Sequence, residues 1–362
     1  VRHGVFAYTW DLVGDPEAAA RIADLGANTV TLQAAYHAVR GITPWHPAHR
    51  VVHAEHAAAY FPIRADRWSG LRPLAPTWAV DNPDRFGTAA AALTAAGLSV
   101  EAWLVLTHSS AVGTAHPDVT VRNAYGERYP YALCPSHQAV RDYALTIVSE
   151  VCAQYDVDLM LEACGWLGFD HGSHHEKTEG ANLSASARRL LSLCFCPACR
   201  TALGPEADRL AASVRSAVDA ELHGVSADPI DATAVLNHRA TVIAELVREA
   251  KSLAGNRRVL LMAADDPWVT GPDVGIDFQN VQPDAFVLKC WGDTNAAAQQ
   301  LKAAAARTDI PLVANVTALN TEWDGVSELL EAGAAEVRYY HAGLGSRDRL
   351  DRIRTAITGT RR

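Results

Sequence analysis

DVDLMLEACGWLGFDHGSHHEK, residues 156–177, leads through a helical stretch to LCFCPACR, residues 193–200. The short apolar run VDLML delivers one acid, Glu162, at its end. A loop carrying His171, His174 and His175 follows, and then Cys194, Cys196 and Cys199 in the spacing C-x-C-x-x-C. An acid directly after such an apolar run is costly to bury without a reason. The run therefore reads as a barrel strand with a catalytic group at its C-terminal end, followed by a small metal knuckle.

Working outward, seven further strands are predicted, at 4–10, 28–37, 98–108, 258–265, 284–291, 311–318 and 336–343, with 157–163 as the fourth in chain order. They are near-continuous apolar runs, and helical patterns separate most of them. Asp15-Pro16-Glu17 reads as the start of a helix, with an N-cap, a proline at N1 and a first-turn acid. Asn82-Pro83 opens another, which is expected to stop at Gly97. Apolar strands alternating with helices imply a parallel sheet buried on both faces. Eight such units favour a closed α/β (β/α)8 TIM barrel. The rival doubly wound sheet lacks its Gly-rich phosphate turn, since WDLVGDPEA follows the first strand. The whole chain, 1–362, is expected to be a single barrel domain. A helical insertion at 181–255, after strand 4, carries the cysteine knuckle. Long polar loops follow strands 2 and 3, and loops of that length are usually functional.

Composition narrows the function. The 362 residues are 49% hydrophobic and 20% charged, enough for a large core, and the formal charge of −9 argues against a nucleic-acid partner. No apolar run is long enough to span a membrane, and VRHGVFAYTW does not read as a secretion signal. Seven cysteines, three of them clustered, suggest reduced thiols and metal in a cytoplasmic protein.

The predicted strand ends carry Trp10, Gln33, His37, Trp103, His108, Glu162, Asp265, Asp266, Lys289, Trp291, Asn315, Tyr340 and His341. Such an aromatic, acidic and hydrogen-bonding ring suits a small neutral polyol such as a sugar. CH faces stack on rings, and carboxylates and amides take the hydroxyls. Glu162 is the candidate general acid, because burial raises a carboxyl pKa. Glycoside hydrolysis normally needs a second carboxylate, for which Asp265 and Asp266 are the candidates. Asp266 reads equally well as a turn cap before Pro267. His171, His174, His175 and Glu176 could ligate a metal or line a sugar pocket. Lys289 could form a Schiff base, although a salt bridge is the plainer reading.

Cys194, Cys196 and Cys199 need a fourth ligand for tetrahedral zinc. Cys152 falls on the apolar face of its helix, whereas Cys134, in YALCPSHQAV, lies in a loop and is free to reach.

The succession LCPSHQAVRDY, a strand ending in Glu, and CFCPAC resembles the (β/α)8 glycoside hydrolases, above all the family-42 β-galactosidases and related hypothetical glycosyl hydrolases. The motifs cover roughly residues 130–200. The resemblance implies a structural zinc on Cys134, Cys194, Cys196 and Cys199, and Glu162 as the acid/base. The sequence departs from the family in two places. Leu161 stands where the family has Asn, and strand 7 carries Asn315 where the family has its nucleophilic Glu, with Glu322 only in the following loop.

The leading expectation is thus a carbohydrate-active hydrolase with no organic cofactor, with homo-oligomerisation left open. The alternatives are a metal-dependent sugar or cyclitol lyase, isomerase or epimerase, and a non-catalytic sugar-binding barrel.

Overall fold

The computed structural model describes residues 1–77, 81–171, 177–319 and 325–360. Eight parallel strands form the barrel: β1 (Arg2–Ala7), β2 (Thr29–Tyr36), β3 (Ser99–Val105), β4 (Asp158–Glu162), β5 (Val259–Ala264), β6 (Ala285–Lys289), β7 (Leu312–Thr317) and β8 (Ala334–Tyr340). Each pairs with the next in chain order, and β1 pairs with both β2 and β8, which closes the sheet. All eight expected strands are present. The first ends earlier than expected, at Ala7, because Thr9–Leu12 turns into a short helix. The Asp11 carboxylate accepts the Tyr8 N–H at 2.8 Å and fixes that turn.

The outer layer comprises α1 (Ala18–Ala23), α2 (Arg85–Ala95), α3 (Gln138–Gln154), α4 (Ala185–Leu191), α5 (Pro197–Leu203), α6 (Glu206–Leu222), α7 (Thr233–Ala254), α8 (Thr294–Ala305), α9 (Val326–Glu331) and α10 (Arg347–Gly359). Within 181–255 the helices divide. Residues of α4 and α6 close a small core of their own around Leu190, Leu193, Phe195, Val214 and Val218. By contrast α7 packs on α3, places Val242, Ile243, Leu246 and Val247 in the main core, and leads into β5. It is the barrel's own helix between β4 and β5. The long loops after β2 and β3 each contain a hairpin, Val39–Ile42 with Val51–Ala54 and Thr120–Arg122 with Arg128–Leu133.

The lower lumen is charged. Glu101 on β3 and Arg338 on β8 are separated by two strands, yet their side chains meet at 2.7 Å with neither exposed, so the pair crosses the lumen. Arg338 also reaches Glu336 at 2.7 Å, and Thr31 donates to Glu101 at 2.8 Å. Gly4 makes room for this, since a Cβ there would lie 2.4 Å from the Arg338 Cδ. Burial raises the Glu101 pKa, but Arg338 outweighs it and the carboxyl ends below its usual range. Glu101→Gln leaves a buried guanidinium half-partnered and is expected to cost about 3–5 kcal/mol in urea unfolding. The sign of the pH effect follows. A depressed carboxyl contributes stability above its unfolded pKa and loses it as pH falls, so the wild type–variant gap should narrow on acidification.

Candidate active site

Glu162 ends β4 pointing into the barrel mouth. Trp103, inward on β3, donates its Nε1–H to the Glu162 Oε2 at 2.6 Å. Glu162 is only 4% exposed. Its pKa is raised to about 8, by burial first and then by the charge of Asp273, against the Trp103 hydrogen bond that lowers it.

Asp273 reaches this place through the loop after β5. The Ala163 N–H donates to the Pro272 carbonyl at 2.9 Å, and the Gly271 N–H to the Trp166 carbonyl at 3.0 Å. Val274–Gly275 then runs parallel to the end of β5. These bonds hold Asp273 beside the strand end that carries Glu162. Its Oδ1 is buried without a hydrogen-bond partner. Burial raises the Asp273 pKa to about 6, and the Lys289 cation pulls it back. Asp273 therefore ionises first, and Glu162 is the group that feels the charge. Near neutral pH one carboxyl is protonated and its neighbour is an anion, a division of environments suited to acid and base roles.

Asp265 and Asp266, expected to supply the second carboxylate, are engaged elsewhere. Leu260 is in register with Met160, so the side of β5 that shares the lumen with Glu162 holds Leu260, Met262 and Ala264, and Asp265 points away. It pairs with Arg307 at 2.7 Å. Asp266 pairs with Arg189 at 2.7 Å and caps its turn by accepting the Trp268 N–H at 3.0 Å.

Around Glu162 lies a tyrosine cluster. The Tyr8 hydroxyl is 3.2 Å from that of Tyr36 and 3.1 Å from that of Tyr340. Trp103 packs edge-on against Tyr36 at 4.5 Å. Tyr36 was not anticipated, because simple alternation from Gln33 would turn it outward. A register shift between Gln33 and Ala35 brings it in.

Other expected residues divide by access. Trp10 is fully buried against Tyr8 and Tyr60, so it supports the wall and offers no face to a sugar. Trp103, likewise buried, serves Glu162 with its N–H. Gln33, Asn315 and His341 are buried, and the Gln33 Nε2, Asn315 Oδ1 and His341 Nε2 have no hydrogen-bond partner. The His341 Nδ1 lies 4.0 Å from Asp11, whose carboxyl burial lifts to about 7. Open to solvent are Trp291, at 38% exposure, and Lys289, whose Nζ sits 4.6 Å over the Trp291 ring. Tyr340 packs on Trp291 at 5.2 Å.

His37, His108 and His171 gather on the side of β2 to β4. Ring centroids lie 4.7 Å apart for His37 and His108, and 4.3 Å apart for His108 and His171. All three pKa values are lowered by burial, that of His108 to about 2 and that of His171 to about 4. They are neutral hydrogen-bonding groups near neutral pH. Among the described residues they do not converge as a metal-ligand set. His174, His175, Glu176 and Glu322 lie outside the described residues.

The knuckle closes as the spacing suggested. Cys134 joins Cys194, Cys196 and Cys199, all buried, with ligand atoms within 4.8 Å of one another. Cys134 lies 3.5 Å from Cys199, 3.6 Å from Cys196 and 3.8 Å from Cys194, and none is in a disulfide. Tetrahedral zinc–thiolate bonds imply sulfur edges of roughly 3.8 Å, so the four sulfurs fit such an ion.

No protein-family description matches this chain, and no curated protein is similar to it in sequence. Solved structures do resemble it. An α-L-fucosidase isoenzyme 2 from Paenibacillus thiaminolyticus superposes with TM-score 0.59 at 12% identity, over 100% of this chain and 49% of the fucosidase. A GH42 β-galactosidase from G. stearothermophilus gives 0.57 at 11%, over 99% and 56%. The catalytic domain of a β-amylase from Paenibacillus polymyxa gives 0.56 at 10%, over 100% and 98%. The chain spans about half the length of the fucosidase. At these identities the likeness concerns architecture, and the architecture that this chain shares with them is the (β/α)8 barrel.

Proposed function

We propose that this barrel hydrolyses a glycosidic bond, with Glu162 as the proton donor to the leaving group and Asp273 as the second carboxylate. The reading is carried by one observation. Two carboxyls lie at the mouth, buried Glu162 with its pKa raised to about 8 and half-buried Asp273 with its own raised to about 6, and the Asp273 charge acts on Glu162. Trp103 orients Glu162 through its N–H. Trp291 offers an open aromatic face for sugar CH groups, and His37, His108 and His171 offer neutral partners for hydroxyls. Asp11 is a further buried acid of the mouth among the described residues. A panel of nitrophenyl glycosides tests the reading. The wild-type protein should release nitrophenol from at least one, and Glu162→Gln and Asp273→Asn should both do so more slowly. Turnover unchanged by either substitution would overturn the assignment.

The same reading makes Cys134, Cys194, Cys196 and Cys199 the ligands of a structural zinc. Its role would be to crosslink the loop after the second hairpin to the segment that runs from the end of α4 into α5. Protein purified without chelator should contain one zinc per chain by elemental analysis. Stripping the metal should lower Tm, and an unchanged Tm would contradict a structural role. The seven cysteines, none in a disulfide, favour a reducing compartment such as the cytoplasm. No helix among the described residues is long and apolar enough to cross a membrane.

A further inference from the structure

Arg239, in α7, is a cation in an unusual place. It is fully buried. Its Nη2 donates to the Ser192 carbonyl at 2.5 Å, and its guanidinium lies 5.4 Å over the Trp166 ring. Its Nε is buried without a hydrogen-bond partner. No Asp or Glu pairs with it among the described residues. A guanidinium stays charged in proteins, and a buried charge without a counter-charge costs several kcal/mol. One carbonyl and one ring face do not neutralise it. The segment whose carbonyl it binds runs on directly to Cys194.

Geometry ties α7 to the knuckle by a second route. His238, the preceding residue, has its Nε2 2.7 Å from the Ser136 hydroxyl, and that hydroxyl lies 3.1 Å from the Cys199 sulfur. The carbonyl that Arg239 binds belongs to Ser192, two residues before Cys194. Helix α7 therefore clamps the cysteine segment with one cation and one hydrogen-bonded relay.

We propose that Arg239 is the built-in counter-charge of a divalent metal centre formed by the thiolates of Cys134, Cys194, Cys196 and Cys199. Four thiolates on a divalent ion carry a net charge of −2, and Arg239 takes up half of it inside the protein. This rests on the metal reading above. Neutral thiols would leave Arg239 buried with no anion at all.

The test compares zinc affinity in the full chain, by competition with a chromophoric chelator, for wild type, Arg239→Gln and Arg239→Lys, with circular dichroism reporting the fold. Arg239→Gln should bind zinc about 10- to 100-fold more weakly, the usual cost of losing an outer partner of a metal ligand. Arg239→Lys, which keeps the charge but not the planar stack on Trp166, should recover most of that loss. A glutamine variant that fails to fold beside a lysine variant that folds and holds zinc supports the same role. A folded glutamine variant with wild-type zinc affinity overturns it and leaves the metal reading intact. Equal loss in both variants, or failure of both to fold, assigns Arg239 to packing on Trp166 and overturns the charge role. Wild-type protein free of divalent metal, with all seven thiols open to a thiol reagent after unfolding, overturns the metal reading itself.

Discussion

Glu162→Gln should lower kcat by about 10²- to 10⁴-fold on glycosides with poor leaving groups, the range that a positioned general acid supplies. The glutamine keeps the size of the side chain and can still meet the Trp103 N–H, but it has no proton to give. The loss should shrink on dinitrophenyl glycosides, whose leaving group departs without protonation. That contrast separates a missing acid from a damaged pocket, which would slow both substrates alike. Steady-state kinetics on the two substrates, with Trp103→Phe beside them, check it. Trp103→Phe removes the only hydrogen bond to the Glu162 carboxyl among the described residues. Because that bond lowers the Glu162 pKa, its loss should move the alkaline limb of the pH profile upward.

Asp273→Asn should cost at least about 10²-fold in kcat on every substrate, whether the group acts as base or as nucleophile. It should also change Glu162. The Asp273 charge helps hold the Glu162 pKa at about 8, so the neutral amide should let that pKa fall. The alkaline limb of any residual activity then moves to lower pH. Asp265→Asn and Asp266→Asn serve as controls. Each breaks an ion pair outside the mouth, with Arg307 and Arg189 respectively, and should leave kcat near the wild-type value. A loss confined to Asp265→Asn or Asp266→Asn, with Asp273→Asn fully active, would return the second carboxylate to the place that the linear sequence suggested.

The barrel was legible because its signal is local. Runs such as VDLML, RVLLMAA and DAFVLK are apolar on both faces, as buried parallel strands must be. Glu162 was legible for the same reason, as an acid ending such a run. The knuckle was legible from its spacing, with Cys134 supplied by resemblance. Asp273 was not legible. It lies in a loop beyond Gly271-Pro272, and hydrogen bonds to Ala163 and Trp166, more than a hundred residues away, set its place. Asp265 and Asp266 sat at the right sequence distance, but Asp265 points away from the lumen and Asp266 is taken up by Arg189 and its turn. Trp10 and Trp103 carry the side chains that stack on sugars, yet burial gives both a supporting role. Burial is a property of the assembled mouth, and residue type does not report it. Tyr36 depended on a register shift that its alternating pattern does not reveal.

The pH dependence of kcat/KM tests the central pairing most directly, measured for wild type and for Glu162→Gln on one mononitrophenyl glycoside, whose departure still gains from protonation. Asp273 must be ionised and Glu162 protonated, so the wild-type profile should be a bell with limbs near about 6 and about 8. In Glu162→Gln the acid limb should remain and the alkaline limb should vanish. An alkaline limb that persists unchanged in Glu162→Gln would show that another group donates the proton, and the account of Glu162 and Asp273 would fail.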